Sequence, residues 1–187
     1  MNLTTGETAD NFFGGVVPPA AHALLHQAAA AAPADRAALL WTAHAIAPDC
    51  LAVYYTLYKH HAGRREFALA ERAAWRGLSE AALQAGLAAD WRAVAPDPAQ
   101  AAGFWQQGPA RFWLFTLKAL CFIHLRNEKP DIARALLARI ELLGPQARIG
   151  SDVTAALLAA MPDGNGTAPP GASGASGASG AAGAAAG

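Results

Sequence analysis

A chain of 187 residues with 53% hydrophobic side chains is long enough for one domain with a sizeable core, and its many alanines favour closely packed helices. Fourteen basic and fourteen acidic residues leave no net charge and a pI near 7.0, so no field draws in nucleic acid and no basic tail holds an acidic membrane. Two cysteines do not make a disulfide framework, no apolar run reaches the roughly 18 residues that span a bilayer, and the N-terminus lacks a leader pattern, which points to a cytoplasmic protein.

Residues 1–16 are expected to be a flexible lead-in, though Phe12, Phe13 and Val16, with Val17 just after it, can dock on the first helix. Pro18 and Pro19 sit where a helix can start, and AAHALLHQAAAAA runs from there to Pro33. Asp35 offers an N-terminal charge to ADRAALLWTAHAIA, which Pro48 stops. LAVYYTLYKHHA follows and turns at Gly63, and REFALAERAAWRGLSEAALQAGL makes a longer helix ending near Gly86. The prolines and glycines of APDPAQAAGFWQQGPA, residues 95–110, read as a loop anchored by Phe104 and Trp105. Two helices come next: ARFWLFTLKALCFIHLRNE, and DIARALLARIELL from Pro130 to Gly144-Pro145. From Met161 the chain carries no large apolar or charged side chain after Asp163, so residues 161–187 cannot offset their chain entropy and are expected to be disordered. No alternating strand pattern interrupts this order. The expected fold is all-α, built of antiparallel helix pairs over residues 17–160.

Paired helices invite a test for internal repeats of about 34 residues, in which small residues sit where two helices cross and a proline closes the second. With Pro48 as a closing proline, Leu40 and Ala43 fit the packing positions and Arg36 does not. In the next unit Tyr54, Leu57, Tyr58 and His61 take the packing positions of the first helix, and Ala70 the crossing position of the second. With Pro145 as the closing residue, Leu117, Leu120 and His124 correspond to that first helix, and Ala133 and Leu137 to the second, with Ile140 replacing the usual small residue. Units therefore fall near 17–50, 51–84 and 114–147. In this pattern the chain resembles the tetratricopeptide repeat family, which implies a short solenoid of stacked helix pairs. Tyr58 and Cys121 replace a usually small residue, and Gly77 stands where alanine is usual, which leaves the superhelical pitch open. The blocks IAPDCLAVYYTLYK, ALAERAAWRGL and GPARFWLFTLKALCFI also resemble small repeat proteins associated with bacterial nitrogen-fixation gene sets.

Residues with reactive chemistry are few. Cys50 follows Pro48, whereas His60 and His61 lie about 15 Å further along the next helix, beyond the reach a thiolate needs of its base. Consecutive helical side chains point about 100° apart, so His60 and His61 are not expected to face one partner. His22 and His26 share a helix face at i, i+4 spacing, yet no acid or cysteine nearby completes a metal site, and a solvated face is the simpler reading. Cys121 sits in LKALCFI as a small buried hydrophobe. No phosphate loop, nucleophile elbow or H-E-x-x-H segment is present, and Arg134, Arg139, Asp131 and Glu141 read as surface charge. The sequence therefore suggests no enzyme, cofactor or metal.

What remains is recognition. The family resemblance implies a groove lined by the first helix of each pair, here at Ala21 and Leu25, at Tyr55 and Lys59, and at Phe115, Lys118, Phe122 and Arg126. Rings beside long cations suit an acidic segment, while the asparagines of a chaperone-tail clamp are missing. The expected function is a protein-interaction module, with a nitrogenase component or maturation factor as the partner the second resemblance implies. Two alternatives stand beside it: a small helical metal-binding protein or enzyme using His22, His26 and Cys50, and a homodimer that buries Trp105, Trp113 and Phe115.

Overall fold

The computed structural model describes residues 16–95, 104, 108–143 and 151–160, and these form seven helices and no strand. Residues 1–15 of the expected lead-in, most of the loop at 95–110 including Trp105, and the tail at 161–187 lie outside the described residues; Val16 is 94% exposed and does not dock as expected, whereas Val17 packs partly buried against the core.

Helix α1 (Pro19–Ala30) opens on proline, whose missing N–H costs nothing in a first turn. Its final carbonyls are met by Arg36: Nε donates to Ala28 O at 2.8 Å and Nη2 to Ala31 O at 3.0 Å. That bond explains the one residue that broke the packing pattern before Pro48. Arg36 caps a neighbouring helix instead of filling a crossing. Helix α2 (Pro33–Ile46) buries Leu40 and Ala43 completely, as the pattern requires. Helix α3 (Leu51–Gly63) is the most enclosed, with Leu51 through Tyr55, Leu57, Tyr58 and His61 all buried. Helix α4 (Phe67–Ala85) ends on Gly86 at φ 65°, and Leu87 N–H donates back to Ala82 O at 2.9 Å, which closes the helix over a residue that only glycine adopts cheaply. Helices α5 (Pro109–Arg126) and α6 (Pro130–Leu142) both begin on proline. A short α7 (Asp152–Ala159) completes the domain; the sequence patterns did not set it apart.

Consecutive helices pack against one another from α1 to α7. A second rule decides the shape. Among the described residues α1 packs on α3, α3 on α5 and α5 on α7, whereas α2, α4 and α6 keep their backbones apart and α4 reaches α2 through the Arg72 guanidinium, 5.4 Å from the centre of the Trp41 ring. The odd helices thus form a continuous inner layer and the even helices a splayed outer one. In a stack of helix pairs the layer whose helices pack on one another is the inner one, here the odd layer.

The crossings carry small residues where the repeat demands them. Ala70, Ala73 and Ala74 of α4 and Ala133 of α6 are fully buried. Gly77 is tighter still: a Cβ there would lie 2.8 Å from Tyr54 Cβ and 3.3 Å from Phe112 Cζ, so α3 and α5 approach α4 over bare backbone. At the matching position of the next unit, Ile140 is fully buried and fills its space with a branched chain. Phe104 anchors its loop as expected, stacked on Trp113 with ring centroids 5.6 Å apart. Trp113 is 1% exposed, which removes it from any surface that a second copy could cover.

Candidate functional site

Two regions gather polar or aromatic side chains with chemical potential. The first is the inner face. Tyr55 of α3 and Phe115 of α5 bring their rings to 5.9 Å, and Lys59 Nζ donates to the Tyr55 hydroxyl at 3.1 Å while lying 5.0 Å from its ring centre. Tyr55 is only 4% exposed, so it supports this face from beneath and offers little surface of its own. Lys118 is half buried; burial pulls its ammonium below the ordinary lysine value, and the Asp152 carboxylate at the start of α7 opposes that pull. Phe122, one turn on, is the exposed aromatic of this row, at 39%. Arg126 is exposed at the end of α5 and lays its guanidinium 5.7 Å from the centre of the Phe67 ring. Of the six residues placed in a groove by the sequence, the structure joins Tyr55, Lys59 and Phe115 by contact. Lys118, Phe122 and Arg126 follow on one face of α5 by their i, i+4 spacing. In α1, Ala21 is buried and Leu25 half buried.

The second region was not foreseen. His61 and His124 close the first helix of their units, both fully buried, and each meets a tryptophan from the preceding pair: Trp41 lies 6.1 Å from His61, and Trp75 5.7 Å from His124. Trp41 and Trp75 hold equivalent positions in the units at 17–50 and 51–84, so a Trp–His pairing across units was written in the sequence. It becomes visible only once the units are aligned, because the partners are far apart along the chain.

Around His61 the chain reverses sharply. Arg65 sits in the left-handed region at φ 63°, and Glu66 returns beneath the helix end, where its Oε2 lies 2.7 Å from His61 Nδ1 and its Oε1 accepts from Arg64 Nε at 2.8 Å. His60, in the same last turn, brings its ring to 5.2 Å from that of His61. This corrects the expectation that the two histidines face apart. Their backbone vectors do diverge, but the imidazoles are long enough to rotate toward the carboxylate that the turn supplies. Burial lowers the His60 pKa, and His61, Arg64 and Arg36 lower it further against the pull of Glu66.

Both cysteines are buried. Cys50 is buried at the head of α3, the opposite end from His60 and His61. Cys121 donates its thiol to Ala133 O at 3.2 Å, and burial pushes its pKa up to about 11, away from thiolate chemistry. His22 and His26 face each other on the exposed side of α1 with Nε2 atoms 3.2 Å apart, and among the described residues neither Cys50 nor another metal-ligating group forms a cluster of three with them. Arg134 is bonded to Asp131 at 3.0 Å, as surface charge of α6.

Comparison of the chain with protein families, with characterised proteins and with solved structures finds no match. No helix among the described residues is long and apolar enough to cross a membrane.

Proposed function

We propose that the domain is a non-enzymatic interaction module of the tetratricopeptide-repeat kind, whose inner layer receives an acidic segment of a partner protein. The observation that supports this most is Phe122, an exposed ring one helical turn from Lys118 and from Arg126 on α5, a helix of the inner layer. A rigid ring buries area at little entropic cost, and cations around it attract carboxylates, so affinity and orientation come from adjacent side chains. Lys59 extends the positive row onto α3. The resemblance to proteins of nitrogen-fixation gene sets makes a nitrogenase component or maturation factor the partner class, and a cytoplasmic setting follows from it.

The test is capture of such components from host cells grown with and without fixed nitrogen, after circular dichroism has shown that each variant folds. Lys59→Glu with Arg126→Glu should abolish capture. Phe122→Ala should shorten the lifetime of the complex with little change in association rate, because anchors act mainly on dissociation. Tyr55→Ala is a poorer probe, since a buried ring is lost from the core as well. Wild-type capture by both the charge-reversed and the Phe122 variants would sink the groove.

A further inference from the structure

We infer that His60, His61 and Glu66, at the turn between α3 and α4, form a binding site for a divalent transition-metal ion of the zinc class. This goes beyond the interaction module and uses none of the groove residues. One ligand atom of each of the three lies within 4.8 Å of the other two. Two imidazoles and a carboxylate are the donors such an ion takes, whereas calcium and magnesium ask for oxygen alone.

The geometry says how the ion enters. Glu66 already accepts from Arg64 at Oε1, so its carboxylate is the acceptor of the 2.7 Å contact as well and the hydrogen of that contact sits on His61 Nδ1. The ion takes the place of that proton. The Nδ1–H bond breaks, the proton leaves to solvent, and Nδ1 and Oε2 become ligands. Two ligands of a tetrahedral zinc lie about 3.3 Å apart, so the present 2.7 Å must widen by about 0.6 Å, a small movement for a carboxylate on a turn. His60 supplies the third donor from a ring nitrogen, and its buried Nε2 makes no hydrogen bond that would compete for the ring's orientation. Both histidines lie in the last turn of α3, where the helix dipole favours positive charge. The opposing cations are already engaged, Arg64 with Glu66 Oε1 and Arg36 with the carbonyls ending α1. Arg64 then acts as the donor that orients the ligating carboxylate from behind. Glu66 is 34% exposed, which leaves a way in for the ion and a coordination position for water.

Zinc chloride titrated calorimetrically into the full chain tests this, on a His22→Ala/His26→Ala background that removes the exposed histidine pair. One equivalent should bind, with proton release that scales with buffer ionisation. His60→Ala and Glu66→Gln should each weaken binding about tenfold or more while the circular-dichroism spectrum stays unchanged. His61→Ala is avoided as the main probe because that side chain is buried in the core. No binding by the background protein, or binding that both variants leave intact, would overturn the site.

Discussion

The turn after α3 and the turn after α5 share a backbone and differ in their side chains. In both, a left-handed residue reverses the chain, Arg65 at φ 63° and Glu128 at φ 57°, and the next N–H returns to the histidine carbonyl at 2.9 Å, Glu66 to His61 and Lys129 to His124. Both histidines pack on a tryptophan of the preceding helix pair. The carboxylates come from different places. His61 receives Glu66 from its own turn at 2.7 Å, a contact local to the unit. His124 has Glu71 of α4 at 3.9 Å, and Glu71 is itself claimed by Lys129 Nζ at 2.8 Å and Asn127 Nδ2 at 2.9 Å. Both ring nitrogens of His124 are left buried without a hydrogen bond. The repeat therefore conserves the path of the chain, while each unit solves the polar problem at the helix end separately. One solution is open at the surface and suited to an ion. The other ties two units together.

The largest effects should come from the paired crossing positions. Ile140→Ala leaves a cavity and should cost about 2–5 kcal/mol. Its counterpart Gly77→Ala should cost about 1–3 kcal/mol for the opposite reason, since the new methyl meets Tyr54 and Phe112 at once. Chemical denaturation of both variants measures this. A Gly77→Ala protein as stable as wild type would mean that α3, α4 and α5 do not meet as closely as described.

Next in size is the response to acid. Burial lowers the His124 pKa below 6.5, and Lys129 lowers it further, while Glu71 pulls it partway back. A histidine depressed in the folded state binds its proton more readily when unfolded. Its contribution is therefore complete above pH 6.5 and is lost as the pH falls from there toward the folded value, at no more than about 1.4 kcal/mol per pH unit. His44 and His60 are lowered too and add to the same decline. Burial pushes the Glu71 carboxyl up, but Lys129, His124 and Asn127 outweigh it and hold it below 4.5, so a second decline begins there. Thermal melts at pH 7.5, 6.0 and 5.0 should fall steadily, and His124→Leu should flatten the slope without abolishing it. An unchanged slope in that variant would show that His124 is not the group being titrated.

The smallest effect sharpens the backbone identity of the turns. Arg65→Gly and Glu128→Gly each remove the left-handed penalty of about 1–2 kcal/mol, offset in part by the added freedom of glycine in the unfolded chain. Both should raise the melting temperature slightly and by similar amounts. A gain at one turn and a loss at the other would break the equivalence.

Much of this architecture was legible beforehand, and for identifiable reasons. Pro33, Pro48 and Gly86 mark helix ends by what their backbones cannot or can do, and Leu40, Ala43, Ala70 and Ala133 mark buried crossings by size and spacing. Such signals are local, so the amino-acid order alone determined an all-α chain of paired helices with Cys121 buried, while the burial of Cys50 at the head of α3 was not read from it. Three features depended on the tertiary structure. Helix rotation buried Tyr55 and exposed Phe122, although both fall on groove positions by period. The inner layer of odd helices came from which helices pack on one another, which no spacing within one helix reports. The meeting of His60, His61 and Glu66 came from a reversal at Arg65 and from side-chain rotation, both free of the 100° rule that governs the backbone vectors. Local order fixes the elements because their signals lie within a few residues. Contacts between elements are settled only when the whole chain packs.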